Sequence, residues 1–399
     1  MPEGWHLAAA STGLVWAALW IMTLARFHKL GKAFPELTPA SPLHSSSGDY
    51  LASVALVVAA RDEEDHLEAC VRSLLAQDYP ALELVFVDDR SSDRSREILA
   101  SLEAEFAPKL RVINVDELPP GWGGQTHGLH RGVGASKSEW ICFTDADCRF
   151  ESPQTLAIAL ADAEAHGADL LSVLPLLEAP TLWEQAYLPL CGFVLGTALE
   201  IGKVNDPSHR AAYANGAFLL IRRQTYEQLG GHEAVRQLVN DDIGLARRTK
   251  RAGLNLRVAA NKGLLQTRMY ESLPGAWRGW SRNLYGVLRH VPRLSRALVS
   301  TLALFVLPWL ALSACAVACA FDPAWAPALA TWALTLAIAQ AGLWRLYAAS
   351  EVPPPYSLLA LFGSLFVSAL LANALSRSIR RSGTTWHGVH YPHPPSDAG

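Results

Sequence analysis

The chain is poor in charge. Asp, Glu, Lys and Arg make up only 18 % of its 399 residues, and the mean hydropathy is +0.14; both are unusual for a chain lying wholly in water. Acidic and basic residues nearly cancel to a formal charge of −3, so there is no basic field of the kind that gathers nucleic acid, and no nucleic-acid partner is expected. Metal-ligand spacings are missing as well. Cys70, Cys142, Cys148, Cys191, Cys315 and Cys319 form no CxxC or Cys/His pattern, and the 13 histidines contain no HExxH. That excludes a recognisable zinc site and fits free thiols in a reducing compartment. Cys148 lies beside two acids discussed below, but a small buried hydrophobe is the ordinary role for such a residue.

Long apolar runs at both ends stand in place of charge. Residues 7–25 are uncharged and almost entirely apolar, and Arg26, His28, Lys29 and Lys32 follow them. The run approaches the roughly 20 residues needed to cross a bilayer. A signal peptide carries its basic residues first, whereas here they come after. The expectation is an uncleaved anchor (1–32) with its amino terminus outside and the following chain on the cytoplasmic side. Residues 298–320, 326–347 and 356–376 are three further apolar stretches, with Arg289, Arg293 and Arg296 before them and Arg377, Arg380 and Arg381 after. Basic flanks on one side demand an even number of crossings, while three stretches are present. Region 286–381 therefore reads as two or three spans: either one stretch is interfacial or re-entrant, or the charge rule fails. The whole predicts a multi-pass protein of the inner (cytoplasmic) membrane with a cytoplasmic tail, 382–399.

The middle is organised around residues 139–150. An apolar strand, 140–143, runs directly into Asp145 and Asp147. Acids ending a buried strand stand at the carboxyl edge of a sheet, where open α/β folds bind ligands. Two carboxylates one residue apart are too close to act as separate acid and base, and suit a hard divalent cation that also takes phosphate oxygens. The plain alternative has Asp145 capping a turn and Asp147 capping a helix begun at Ser152-Pro153. Residues 33–51, rich in Pro and Ser, read as a linker. Residues 54–60 form an unalternating apolar run, as in a parallel strand covered on both faces, and 61–65 open a helix with acids in its first turn. Residues 82–88 are a second strand ending in Asp88-Asp89, and 110–115 a third. Strands alternating with helices predict a doubly wound sheet, which brings both acid pairs to one edge. Residues 181–202 read either as a core helix or as a helix on the membrane surface. Residues 215–223 read as loop, buried strand and basic end. Residues 239–253 have an acidic start, a basic finish and a glycine stop, the grammar of one helix.

Val-Val-Ala-Ala-Arg-Asp-Glu-Glu (57–64), Ser-Leu-Leu-Ala-Gln-Asp-Tyr-Pro (73–80), Leu-Val-Phe-Val-Asp-Asp-Arg-Ser-Ser-Asp (84–93) and Thr-Asp-Ala-Asp (144–147), as an ordered set, resemble the large inverting glycosyltransferase family of cellulose synthase and dolichol-phosphate mannose synthase. The resemblance covers 52–285. It implies a GT-A type, doubly wound nucleotide-sugar-binding α/β domain with flanking transmembrane helices. The membrane flanks, Pro-Gly-Trp-Gly-Gly (120–124) and Trp-His-Gly-Val-His-Tyr (386–391) are similar to hopanoid-biosynthesis-associated members, with ceramide glucosyltransferases more distant.

The resemblance implies roles at matching positions. Ala60, Arg61 and Glu63 line the nucleotide pocket, Asp89 meets the base, and Asp145 lies near ribose and metal. Asp147 binds Mg²⁺ or Mn²⁺ bridging the diphosphate, where positive charge helps the leaving group depart. Gly231, His232 and Asp241 fall on the acceptor side. Asp242, with Leu245 behind it, matches the catalytic base that takes the acceptor hydroxyl's proton. Two positions depart from the pattern. Gln125 stands where a diphosphate-pairing lysine is expected, and in Arg278-Gly-Trp-Ser-Arg-Asn283 only Arg282 keeps a phosphate role, Asn283 replacing Trp. The expected activity is transfer of one sugar, from a UDP-sugar, to a hopanoid or polyprenyl-like lipid. The rivals are a processive polysaccharide synthase, which Asn283 disfavours, and a silent nucleotide-sugar-binding scaffold, which Gln125 alone favours.

Overall fold

The structure, a computed structural model, describes residues 4–43, 51–386 and 388–391; residues 44–50 of the expected linker and 392–399 of the expected tail lie outside the described residues. The chain divides into two compact units. One comprises Met1–Ala33, Ala179–Ala198 and Ser272–Arg381; the other comprises Phe34–Glu178, Leu199–Glu271 and Ser382–Gly399.

The strands of the second unit are β1 (Glu36–Leu37), β2 (Val54–Ala60), β3 (Leu82–Asp89), β4 (Leu110–Val115), β5 (Trp140–Phe143), β6 (Cys148–Phe150) and β7 (Leu170–Leu174). They continue with β8 (Leu176–Leu177), β9 (Leu219–Arg222), β10 (Leu256–Asn261), β11 (Leu265–Thr267), β12 (Thr384–Trp386) and β13 (Val389–Tyr391). Eight of them form one sheet in the order β1-β10-β7-β9-β5-β2-β3-β4. All its pairings are parallel except those of β9, which runs antiparallel to both β5 and β7. β2 is buried along nearly its whole length because both faces are covered, which is why its sequence does not alternate. β6, β11 and β8 make a small second sheet.

The structure differs from the sequence expectations at several places. The linker contributes β1, whose Glu36 pairs with Ala260. Residues 61–65 do not open a helix. Asp62 adopts a left-handed φ of 56°, and its carboxylate accepts from the Ser92 amide at 2.7 Å and the Ser92 hydroxyl at 3.0 Å. The Glu63 and Glu64 amides donate to Ser95 and Asp93. These acids cross-tie two strand-end loops, and helix α2 starts only at Leu67 (below). Asp147 caps no helix either, because β6 follows it directly. The described part of the tail is the antiparallel hairpin β12–β13 and is grouped with the sheet.

The first unit contains α1 (Trp5–Ala33), α6 (Leu182–Ala198), α9 (Leu273–Leu288), α10 (Val291–Thr301), α11 (Leu307–Phe321), α12 (Ala326–Ala349) and α13 (Ala360–Arg380); the second contains α2 (Leu67–Leu75), α3 (Ser95–Phe106), α4 (Gly124–Gly134), α5 (Thr155–Ala165), α7 (Arg223–Gln228) and α8 (Asp241–Arg251). Four helical stretches among the described residues are long and apolar enough to cross a membrane: Trp5–Arg26, Val291–Phe321, Pro323–Ala349 and Pro354–Arg380. Their outward apolar side chains, such as Leu310, Val317, Phe321 and Phe362, are exposed, which suits a lipid solvent rather than water. The two basic flanks are neighbours, since the Ser378 hydroxyl donates to the Arg289 carbonyl at 2.9 Å. Helix α6 buries Tyr187, Leu190, Cys191 and Val194 within this helical unit. Helix α9, inside the expected 52–285 domain, belongs here too, with Ser281 held by Asn373 of α13 at 2.9 Å.

Candidate active site

The parallel register brings the carboxyl ends of β2, β3 and β5 to one edge, and the chemistry-bearing side chains of the second unit collect there. At the end of β5 the Thr144 hydroxyl donates to the Ala217 carbonyl at 2.7 Å, fixing the turn that carries Asp145 and Asp147. Gln125 Nε2 donates to Asp145 Oδ1 at 3.1 Å. Ligand atoms of Asp145, Asp147 and Cys148 all lie within 4.8 Å of one another, and the Cys148 thiol donates to Asp147 Oδ1 at 3.6 Å.

Negative charge is crowded here. Burial, then Asp147, pushes Glu63 up to about 8. Burial, then the charges of Asp147, Asp242, Asp241 and Glu63, holds Asp145 well above the usual carboxylate range. Asp147 is raised by burial. A set of oxygen donors that is costly to ionise without positive charge nearby fits a hard divalent cation. The Arg61 Nε and Nη1 atoms, beyond the end of β2 at Ala60, are buried without a hydrogen-bond partner, although Nε lies 3.7 Å from the Asp62 carboxylate; N–H groups left over in this way suit an anionic ligand.

Asp242, the second residue of α8, enters the same cluster from another direction. Its carboxylate accepts from the Ile243 amide at 2.7 Å and from the Gly216 amide at 2.9 Å. A Cβ on Gly216 would lie 3.6 Å from Asp145 Oδ2 and 3.8 Å from Asp242 Oδ2, so both carboxylates approach the space beside this glycine. Burial, then Asp241, pushes Asp242 up to about 7. Asp241 is in the first turn of α8, as helix grammar requires, but its Oδ2 faces His232 Nε2 at 3.3 Å. The other ring nitrogen of His232 lies 2.9 Å from the Tyr226 hydroxyl, and the Phe143 ring packs edge-on at 4.7 Å. Gly231, His232 and Asp241 are thus together, beside Asp242.

Two further expected residues have these surroundings. Asp89 is buried at the end of β3, and Arg90 donates to both its oxygens, at 2.9 and 3.0 Å. Arg282 is carried by α9 in the first unit. Sequence reasoning missed Gly216, because a backbone amide leaves no side-chain signature; the Asn215-Gly216 turn pair was its only trace. It also missed Arg90.

Comparison with known proteins identifies the family and the fold. The profile of the glycosyltransferase-like family 2 matches residues 52–274. Curated relatives include 4,4'-diaponeurosporenoate glycosyltransferase of Staphylococcus aureus, strains USA300 and MRSA252, each 22 % identical over 58 % of this chain and 60 % of the relative; the match thus spans less than two thirds of their length. Among solved structures, a mannosyltransferase from Pyrobaculum calidifontis in complex with GDP-Man and Mn²⁺ superposes with a TM-score of 0.52 at 19 % identity, covering 94 % of this chain and 97 % of that one. That likeness speaks for the fold. With its mixed α/β sheet, its strand-edge carboxylates and a family match over more than half its length, the chain belongs to glycosyltransferase-like family 2, with a GT-A type domain and flanking apolar helices.

Proposed function

We propose that the protein transfers a single sugar from a nucleotide diphosphate donor, a UDP-sugar, to a hydroxyl of a lipid acceptor, inverting the anomeric centre. It would work in the inner membrane with its second unit on the cytoplasmic side. The observation that carries this reading is the convergence of Asp145 and Asp242 on the space beside Gly216, one acid in the cation cluster and the other held by two amides. Asp147 and Asp145 would hold Mg²⁺ or Mn²⁺; the Pyrobaculum neighbour, described in complex with GDP-Man and Mn²⁺, supports a divalent cation, and the staphylococcal relatives, named for glycosyl transfer, support the reaction class. When bound, the cation neutralises charge on the departing nucleoside diphosphate.

The chain's own residues do the rest. Arg61 offers buried N–H donors to the diphosphate, and Glu63 and Gln125 orient the nearby loops and Asp145. The Ile243 and Gly216 amides aim the Asp242 carboxylate, which takes the acceptor hydroxyl's proton as that oxygen attacks the anomeric carbon. Gly231, His232 and Asp241 shape the acceptor side. The acceptor is an amphiphile presenting a hydroxyl at the membrane surface. A hopanoid or polyprenyl-like lipid follows from the sequence resemblance, and the staphylococcal relatives' acceptor, 4,4'-diaponeurosporenoate, is lipid-like too.

The decisive test is calorimetric titration of the full-length protein with UDP-sugar and with GDP-Man, with Mn²⁺ or with EDTA. Binding is expected only with the cation and is expected to vanish in Asp147→Asn; chelator-insensitive binding would refute the assignment. Turnover to a lipid product of one added sugar excludes both a processive synthase and the silent scaffold that Gln125, bonded to Asp145, would otherwise favour.

A further inference from the structure

Three apolar stretches lie between two basic flanks, and the packing inside the helical unit shows which of them is unlike the others. Helices α1 and α12 lie side by side and run in the same direction. Trp332 Nε1 donates to the Ala9 carbonyl at 3.1 Å, and the Thr335 hydroxyl donates to the Gly13 carbonyl at 2.8 Å. Further along, a Cβ on Gly342 would lie 3.1 Å from the Trp20 ring. The sequence offset between partners stays at 322–323, so the two helices remain level, with exposed Arg26 and Arg345 at the same end. The stretch Val291–Phe321 runs the opposite way. Ala9 and Ala10 of α1 pack with the Cys315 cluster, whereas Trp16 and Trp20 reach the carbonyls of Ala303 and Leu304.

The last stretch, Pro354–Arg380, takes another course. After α12 the chain turns and comes back along that helix, until the Ser357 hydroxyl accepts from Gln340 Nε2 at 2.6 Å. Ser357 is buried. In the register of α12 with α1, Gln340 is level with Ala18, near the middle of Trp5–Arg26. The returning segment is Pro353-Pro354-Pro355, which has no N–H to leave unbonded in apolar surroundings. The Val352 amide before it donates to the Tyr347 carbonyl at 3.0 Å, and the Tyr356 amide after it to the Pro353 carbonyl at 3.1 Å. Gly363, in the first turn of α13, lies against the Ala186 carbonyl that the Tyr347 hydroxyl also reaches. Ser378, near the other end, meets Arg289. The rise from Gly363 to Ser378 is about 22 Å, and that from Leu304 back to Arg289 is about the same. Helix α13 therefore descends from about mid-depth to the end that carries Arg26, Arg289 and Arg345. Leu358, Phe362 and Leu365 point outward, 67 %, 67 % and 48 % exposed.

We propose that residues 353–380 do not cross the membrane but dip into one leaflet, the one at the Arg26 end, and offer Leu358, Phe362 and Leu365 to its hydrocarbon. The other three candidate spans cross. This rests on the reading of the apolar helices as membrane-spanning, and not on which side the second unit occupies. Two crossings then separate the flank at Arg289 from the flank at Arg377, the even number that basic flanks on one side demand. Length and composition make Pro354–Arg380 a candidate span like the rest. The placement of Ser357 against Gln340 is what sets it apart.

Ala324→Cys, Ser350→Cys and Ser382→Cys of the full-length protein are exposed to an impermeant maleimide in intact cells and in inverted vesicles. Ser350→Cys and Ser382→Cys should react from one side and Ala324→Cys from the other. Reaction of Ser382→Cys from the side of Ala324→Cys means that the last stretch crosses, and overturns the inference. Depth is read from nitroxides on Leu358→Cys, Phe362→Cys, Leu365→Cys and Ile379→Cys, with the protein in vesicles of phosphatidylethanolamine and phosphatidylglycerol. The ratio of oxygen to nickel-complex collisions should fall severalfold, in steady order, from Leu358 to Ile379. A maximum at Leu365 with low values at both ends is the profile of a crossing helix, and uniformly low values are that of a helix on the surface; either overturns the inference. If the three cysteines exchange sides while the depth order holds, the cytoplasmic placement of the second unit is wrong and this inference stands. Equal reaction of all three in both preparations overturns the membrane-spanning reading together with it.

Discussion

At the scale of residues, Asp241 and Asp242 are adjacent in one helical turn yet face different partners. Asp242 is held by the Ile243 and Gly216 amides, whereas Asp241 faces His232. A base must be ionised to accept a proton. Because Asp242 is pushed up to about 7, turnover should fall as pH drops through about 7, where this carboxylate takes up its proton. Asp242→Asn should lower turnover roughly 10²–10⁴-fold with the fold and donor affinity intact. Asp241→Asn removes the negative charge that, after burial, does most to raise Asp242. It should therefore keep its turnover at alkaline pH while the acid limb of the profile moves to lower pH. Rate–pH profiles of the three proteins, with nucleotide affinity and melting temperature alongside, measure this. A normal rate in Asp242→Asn, or a dead but folded Asp241→Asn, would reverse the assignment.

At the scale of elements, Pro308 decides how α1 docks within the helical unit. Proline lacks the N–H that the Leu304 carbonyl would otherwise receive. Residues Leu302–Val306 accordingly widen into a π-turn, in which the Leu307 amide reaches the Leu302 carbonyl. Two carbonyls are freed, and two indoles of α1 fill the gap: Trp16 Nε1 donates to Ala303 at 2.7 Å and Trp20 Nε1 to Leu304 at 3.3 Å. In an apolar solvent such groups need partners from neighbouring helices. Trp16→Phe should cost about 0.6–2 kcal/mol in detergent unfolding experiments. Pro308→Ala returns the carbonyls to their own helix, so Trp16→Phe should cost clearly less in that background; additive costs in the double-mutant cycle would show that no such coupling exists. Elsewhere in this unit, a Cβ on Gly363 would collide with the Ala186 carbonyl, which also accepts from the Tyr347 hydroxyl at 2.7 Å. Gly363→Ala should thus loosen α13 from α6 by roughly 1–3 kcal/mol.

At the scale of the whole molecule, the proposed orientation rests on the charge pattern around the apolar helices. Basic residues follow the first candidate span and flank the last three, and those two later flanks are neighbours; flanks sharing one side of a membrane leave one of the three apolar stretches between them not crossing it. Lys137 is exposed in the second unit. A cysteine placed there should resist an impermeant maleimide in intact cells and react in inverted vesicles. The native background is small, because five of the six cysteines are buried and Cys319 is half-buried. Labelling in intact cells would turn the orientation over.

Local pattern alone determined a good deal. β2, β4 and β5 run over the residues that their apolar runs marked, and β3 extends one residue further, to Asp89. Helix α8 obeys its acidic start and its glycine stop, with Gly253 at a φ of 71°. The acids at the ends of β3 and β5, and the four apolar stretches, stand where they were read. These features depend on side chains a few residues apart, so periodicity and capping chemistry suffice to find them. Tertiary structure decided which partner each acid met. Asp89 closed onto Arg90, Asp241 turned to His232, Asp62 tied a loop instead of opening a helix, and Asp242 came near Asp145 beside Gly216. It also took Arg282 into the helical unit. Each of these groups had several chemically adequate partners in the sequence. The choice among them was made by the order of strands in the sheet, by loop closure and by the close approaches that glycine allows, and none of these is written in the neighbours of the residue concerned.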